Sequence, residues 1–275
     1  MPAHPMLRLF DGADDTSPQL RDDVKTLQQL LATDGASLTV DGVFGSDTES
    51  AVKRFQLEHG LLEDGVVGPV TWAALAGDPA PDPTKTFSTT RPANDAALLT
   101  ELELATPLAQ SVQDAVASLG LPACVIGGIG SRESRWGIAL KPAGPAGTGD
   151  FAPRRYPTQF RAGPLPPDGG GFGRGLMQID YDAQPFARDG AWKDPGANIR
   201  TGCSILASYR DLVARKTSLA GLALLQAAIA SYNCGPGNAL RAIQDGRDMD
   251  FYTAGRNYSH DVLDRAGWFQ LHGWA

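Results

Sequence analysis

The chain reads as mainly α, divided into a small domain of about three helices and a larger helical domain with a little β structure. Three observations lead there: a repeated turn-plus-helix unit near the start, a Pro-rich stretch after it, and helical apolar stripes interrupted by one segment of period two. In the repeat, Asp41-Gly42-Val43-Phe44-Gly45 with Thr48 and Ala51 recurs as Asp64-Gly65-Val66-Val67-Gly68 with Thr71 and Ala74, 23 residues later. Each copy is a DGxxG turn followed by a helix, with glycine supplying positive φ and the threonine near the helix cap. Ahead of them, Val24, Leu27, Leu30 and Leu31 form a helical stripe. Such a unit is too small, and too poor in His, Cys and paired polar groups, for obvious chemistry.

From Gly77 to Asn94 the chain holds Pro79, Pro81, Pro83 and Pro92 among Thr, Ser and Asp. That composition favours extended geometry over a core, so the expected layout is a domain over 5–77, a linker over 78–95 and a second domain over 96–275.

Hydrophobic content of 42% supports a real core, and no run of 18 apolar residues proposes a membrane span. Met1 to Gln19 lacks the apolar stretch of a secretory signal, so the expectation is synthesis in the cytoplasm without a signal peptide. Cys124, Cys203 and Cys234 stand at no metal-ligand spacing and read as small buried residues. The net charge of −7 is uneven: residues 1–95 carry 7 basic and 15 acidic residues, and the remainder 17 and 16. An acidic first domain argues against nucleic acid as its ligand. Basic clusters in the second, Arg132/Arg135 and Arg154/Arg155/Arg161, can meet an anionic polymer, although solvated surface charge is the better explanation for most of them.

Glu133 is the residue that most needs explaining. Pro122 suits the start of a helix, and Ile126, Ile129 and Glu133 then share one face, which draws a carboxyl toward a low-dielectric environment. Burial disfavours its charged form and raises its pKa, the direction a general acid requires. An ion pair with Arg132 or Arg135 is the alternative. Glycines at 127, 128 and 130 each cost about 1 kcal/mol in a helix, which points to close packing against another backbone. Downstream, a period of two over Gly175–Asp180 would put Leu176, Gln178 and Asp180 on one face and Met177 and Ile179 on the other. A helix from Gly221 is stopped by Gly235 and Pro236, leaving Tyr232 and Asn233 at its exit, and Tyr258 begins the last helix.

Two resemblances organise these segments. The series LRLF, VKTLQQLL, VDGVFGSDTESAVKRFQ and DGVVGPVTWAAL resembles a type 1 peptidoglycan-binding domain over about residues 5–77. It implies wall binding near the repeat turns, with Asp41, Asp64, Gln56, Thr71 and Trp72 as candidates, each with a structural role in capping or packing as the alternative. The ordered set IGGIGSRES, GLMQID, ASYNCGPGN, NYSHDVLDRA and FQLHGW resembles goose-type lysozyme, within the superfamily that includes lytic transglycosylases, over roughly 96–275. The resemblance implies an α+β lysozyme-like catalytic domain with a small β-sheet, and for the whole chain a modular phage endolysin.

It further implies that Glu133 is the general acid protonating the glycosidic oxygen between N-acetylmuramic acid and N-acetylglucosamine. Asp180 matches the general-base or water-positioning carboxylate. A second family carboxylate lies in the loop before it, where Asp168 is nearest, one residue out of register, with Asp150 and Asp182 as alternatives. Tyr232 and Asn233 match the pair that holds the N-acetyl sugar, Tyr258 the tyrosine beside the acid, and Gln178 and Met177 the cleft wall. Two carboxyls about 6.5–9.5 Å apart, with a water between, give inversion without a covalent intermediate. No cofactor or metal is expected. The implied partner is bacterial peptidoglycan, met in the periplasm by a monomer with no stable membrane association after a holin-type membrane lesion.

The chain departs from that family between Glu133 and Asp180, which stand 47 residues apart because of a Pro/Gly-rich insert over 141–173. A loop of this length usually has a function or is disordered. The expectation is that it covers the glycan groove and that Arg154, Arg155 or Arg161 meets lactyl or stem-peptide carboxylates. Three rivals remain: a lytic transglycosylase using Glu133 alone, a non-catalytic wall-binding protein, and a metallopeptidase. Histidines at 4, 59, 260 and 272, with no ligand spacing among them, argue against the last.

Overall fold

The computed structural model describes residues 4–59, 61, 63–77, 86–154, 157–158 and 161–274, and the chain divides into two compact units, Met1–Pro92 and Ala93–Ala275. The division falls inside the stretch read as a linker. Pro79, Pro81 and Pro83 lie outside the described residues, whereas Phe87 and Thr89 are buried within the first unit.

In the first unit, helices α1 (Arg21–Thr33), α2 (Ser46–Glu58) and α3 (Pro69–Ala76) enclose a core that includes Leu7, Leu27, Phe44, Val52, Phe55 and Trp72. An extended segment at Leu7 pairs with Val67 through two backbone hydrogen bonds of 3.1 and 2.8 Å. Both repeat turns are held by a glutamine from the preceding helix. The Gln28 amide NH2 donates to Asp41 Oδ1, the Val43 carbonyl and Thr48 Oγ1, and its oxygen accepts from Gly42 N–H at 2.9 Å. Gln56 repeats the arrangement with Asp64 Oδ1, the Val66 carbonyl, Thr71 Oγ1 and Gly65 N–H. Gly42 and Gly65 have φ of 81° and 74°, so the turns do require glycine.

The second unit begins with α4 (Ala96–Ala105), capped by Asp95, whose carboxylate accepts from Ala97 and Leu98 N–H. Helices α5 (Ala109–Val116) and α6 (Ala123–Ser134) follow, with Pro122 as the N-cap of α6. The long insert then contributes β1 (Thr148–Gly149) and a hairpin, β2 (Pro157–Thr158) with β3 (Arg161–Ala162). Strands β4 (Gly173–Arg174) and β5 (Ile179–Asp180) complete an antiparallel sheet of order β1-β4-β5, with Thr148 opposite Arg174 and Gly173 opposite Asp180. Helices α7 (Pro195–Lys216), α8 (Gly221–Cys234), α9 (Pro236–Gln244) and α10 (Tyr258–Leu271) finish the chain.

Close packing accounts for the glycines of α6, as the sequence led us to expect. A Cβ on Gly127 would stand 2.8 Å from the Phe269 ring, and one on Gly128 would collide with the Val262 carbonyl, both on α10. One expectation fails. Gly175 to Gln178 is a turn, with φ of 66° at Gly175 and 48° at Gln178, and only Ile179–Asp180 is strand. Leu176 and Met177 are therefore both buried rather than on opposite faces, Met177 packing where α7 presents Gly202. Neither Gln178 nor Met177 sits in a cleft-wall strand. The stop after α8 is as read: Gly235 has φ of 78° and Pro236 opens α9.

All three cysteines are free, and burial pushes the Cys124 and Cys203 thiols up to about 12. Cys234 is half-buried, short of the full burial expected. Among the described residues no helix is long and apolar enough to cross a membrane.

Candidate active site

Glu133 lies in the last turn of α6, and Tyr258, the first residue of α10, donates its phenolic O–H to Glu133 Oε1. The ion pair offered as the alternative does not form. Arg132 pairs with Asp261 at 3.2 Å, and Arg135 with the buried Glu101 at 3.0 Å. Desolvation raises the Glu133 pKa to about 7, against the Tyr258 hydrogen bond and the Arg132 charge, which lower it; Asp150 raises it further. Burial and the Glu133 charge hold the Tyr258 phenol well above its ordinary value, so it stays a donor across the working range. The acid is thus protonated for part of the time near neutrality and has one fixed donor orienting it.

The end of α6 is held by its own chain. Arg135 and Trp136 both take φ of 50°, and Trp136 turns back onto the helix, its indole N–H donating to the Gly127 carbonyl at 3.2 Å. Gly130 leaves room for that ring, since a Cβ there would stand 2.8 Å from it.

Carboxylates from β1 and β5 converge on Arg154. Its Nη2 donates to Asp150 Oδ2 at 2.9 Å and to Asp180 Oδ2 at 2.6 Å, and its Nη1 to Asp182 at 2.8 Å, while the guanidinium lies 3.8 Å from the Phe172 ring centre. Because Asp150 and Asp180 share one nitrogen at 2.9 and 2.6 Å, those two oxygens are within about 5.5 Å of each other. Burial disfavours the Arg154 charge, but the hydrogen bonds it donates to Asp180 and Asp150 outweigh it and raise its pKa. Arg154 was expected to meet substrate carboxylates; it is instead occupied by the chain's own. Arg155 and the side chain of Arg161 lie outside the described residues.

Asp168 is drawn elsewhere. Arg174, 1% exposed, donates both terminal nitrogens to it at 2.9 Å, and this bidentate pair lowers the Asp168 pKa despite partial desolvation. Gln178 donates to the Gly175 carbonyl and fills the space left by the absent side chains of Gly149 and Gly173. The Tyr232 hydroxyl donates to the Met177 carbonyl at 2.8 Å, and Asn233 Oδ1 accepts from Ala254 N–H. Burial and the Glu133 charge also hold the Tyr232 phenol well above its ordinary value.

Three features that shape the site escaped the sequence reading. Asn198, fully buried on α7, accepts from Met177 N–H and donates to the Arg174 and Trp192 carbonyls, clamping the turn that precedes β5. Arg174 and the Asp150–Arg154 pairing are the others. An Asn four residues after the capping Asp194 was the one available signal; the ion pairs had none. Asp248, Asp250 and His260 also come within 4.8 Å of one another, an association that sequence spacing hid. Asp250 is fully buried and already accepts from Ser259 N–H and Oγ–H and from Thr253 Oγ1–H, so it serves to cap α10.

In the first unit three of the wall-binding candidates, Gln56, Thr71 and Trp72, turn inward, while Asp41 is exposed and Asp64 half-buried. Gln56 and Thr71 are 1% and 3% exposed and bond each other and the Asp64 turn, Asp41 is bonded by Gln28, and the Trp72 indole donates to the Pro5 carbonyl. Their observed partners are those of a structural lock.

A carboxylic acid tuned near neutrality on a glycine-packed helix, beside a small antiparallel sheet bearing further carboxylates, belongs to a mainly α, lysozyme-like fold. The families can be named. Residues 161–273 match the family model described as Lysozyme g, and residues 21–75 the one described as Putative peptidoglycan binding domain. The chain thus carries one segment similar to peptidoglycan-binding domains and a second similar to lysozyme g. Asp168, Gln178, Asp180, Tyr232, Asn233 and Tyr258 fall within the second match, whereas Glu133 and Asp150 precede it. Lysozyme g of Gallus gallus is 33% identical over 158 residues, covering 57% of this chain and 61% of the bird protein. An uncharacterized protein of Kitasatospora aureofaciens is 43% identical over 75 residues, 64% of its length. The chain thus spans less than two thirds of either relative. The crystal structure of Burkholderia AP3 phage endolysin aligns over 97% of this chain and 100% of that one, with 20% identity and a TM-score of 0.29.

Proposed function

We propose that the protein is a peptidoglycan hydrolase that cleaves the β-1,4 bond between N-acetylmuramic acid and N-acetylglucosamine by an inverting acid/base mechanism. The observation that carries this reading is Glu133: a carboxyl raised to about 7, oriented by Tyr258, in a chain with a lysozyme g segment. Glu133 protonates the leaving glycosidic oxygen. Asp150 and Asp180, held together by Arg154, polarise the water that attacks the anomeric carbon from the opposite face. Asp150 is taken here in place of Asp168, the nearest match offered by the resemblance, because Asp150 shares Arg154 with Asp180 and acts on Glu133 electrostatically, whereas Asp168 pairs apart from them with Arg174. The resemblance to lysozyme g assigns Tyr232 and Asn233 to holding the N-acetyl sugar. The first unit binds the wall, which raises the local concentration of glycan around the catalytic unit. A wall-binding domain joined to a muramidase fits a phage endolysin, made in the host cytoplasm and admitted to the periplasm by a membrane lesion.

Mass analysis of fragments released from purified peptidoglycan tests the chemistry. Wild type should yield reducing muramic ends, Glu133→Gln should yield none, and Asp150→Asn or Asp180→Asn should slow release far more than Asp168→Asn. Anhydro-muramic ends would convert the assignment to a lytic transglycosylase; release by Glu133→Gln would remove Glu133 from the mechanism.

A further inference from the structure

On the sheet β1-β4-β5, Thr148 and Arg174 are cross-strand partners, so their side chains share a face. Gly149 and Gly173, the neighbouring pair, face the other way, and Gln178 packs there. On the Thr148/Arg174 face lies a cavity of about 630 Å³, separate from Glu133, Tyr232 and Asn233. Its walls combine two kinds of surface. Phe151, Pro142, Ala146 and Trp192 are apolar; Lys141, Lys193, Arg174 and Asp168 are charged, two positive charges in excess.

The positive charge there is uncommitted. Lys141 and Lys193 are exposed and pair with no carboxylate among the described residues; their ammonium groups lie 5.4 Å from the Phe151 ring centre and 5.6 Å from that of Trp192. Arg174 is gripped by Asp168 and by the Tyr181 and Trp192 rings, yet its buried Nε–H has no acceptor.

We infer that this cavity is a second substrate subsite, which takes a carboxylate-bearing stem peptide of peptidoglycan while the glycan lies at Glu133. The apolar walls suit alanine methyls and aliphatic side chains, and the two lysines suit the free carboxylates spaced along such a peptide. The inference rests on the peptidoglycan reading above. It also gives the insert a function: Lys141, Phe151 and Asp168 all belong to it, so the residues that separate this chain from a compact lysozyme build the subsite.

The test compares wild type with the Lys141→Gln/Lys193→Gln double variant on two substrates, peptide-bearing glycan and the same glycan stripped of stem peptides by an amidase. The expected result is a rise in KM of about tenfold on peptide-bearing glycan with kcat retained, and no change on stripped glycan; two exposed ion pairs account for a factor of that order. Equal effects on both substrates, or none on either, would overturn the proposal. An independent titration of the Glu133→Gln chain with the free tripeptide Ala-γ-Glu-diaminopimelate should show binding that the two lysine substitutions weaken about tenfold. Affinity unchanged by them, or no binding at millimolar peptide, overturns the subsite regardless of hydrolysis. Failure of wild type to cleave either glycan would instead remove the hydrolase reading and leave the titration to decide the cavity.

Discussion

Glu133→Gln should stabilise the catalytic unit at alkaline pH and do so by an amount that depends on pH in a calculable way. Burial pushes the carboxyl up to about 7 in the folded chain, from 4.5 for a solvated glutamate. Below pH 4.5 both states carry the proton, and burial of the neutral acid imposes no ionisation cost. Between 4.5 and 7 the unfolded chain releases its proton while the folded chain keeps it, so stability falls as pH rises. At 1.36 kcal/mol per pH unit the loss reaches about 3 kcal/mol and is complete a little above pH 7. Glutamine keeps the acceptor for the Tyr258 hydroxyl but never ionises. The stability difference between variant and wild type should therefore grow by about 3 kcal/mol from pH 4 to pH 8. Urea unfolding followed by tryptophan fluorescence reads this, since Trp136, Trp192, Trp268 and Trp274 all belong to the catalytic unit. A difference that stayed constant with pH would refute a desolvated Glu133.

Removing the Tyr258 hydroxyl should have its own pH signature. Tyr258→Phe deletes a hydrogen bond to a charged acceptor worth about 1.5–3 kcal/mol, so the alkaline limb of the pH–rate profile should move up by about one to two units; an unmoved limb would show that Glu133 is not the group titrating. Gly128→Ala places a methyl against the Val262 carbonyl and should cost about 1–3 kcal/mol in unfolding experiments, whereas no loss would mean that α6 and α10 are not in backbone contact. In the first unit, Gln56→Ala strips the second turn of its lock and should lower that unit's stability by about 2 kcal/mol while leaving cleavage of soluble glycan oligomers unchanged. Weakened wall binding without lost stability would make Gln56 a ligand contact rather than a lock.

What was legible in the sequence was whatever repeats or terminates locally. The DGxxG turns, the Gly235-Pro236 stop and the start of α10 at Tyr258 follow from glycine's access to positive φ and proline's missing donor, which act within a few residues. The Glu133 stripe was legible for a related reason: 3.6-residue periodicity puts a residue on a buried face before its neighbours are known. The period-two reading of 175–180 failed because Gln178 adopts φ of 48°, a choice imposed by Asn198 clamping the turn from α7. The helical Gln28 and Gln56 were likewise invisible as locks, since their partners lie 13 and 8 residues on, in turns that only the folded unit brings back.

By itself, then, the sequence determined two domains, a mainly α architecture and one carboxyl on an apolar helix face, because each depends on short-range backbone preference or hydrophobic periodicity. Only the tertiary structure decided which charges meet. Arg154 joins Asp150, four residues before it, to Asp180, 26 residues after it, and Arg174 draws Asp168 away from them, although all these aspartates look alike in sequence. Ion pairing acts over a few ångströms in space and is indifferent to separation along the chain, so which aspartates share Arg154 waited on the fold.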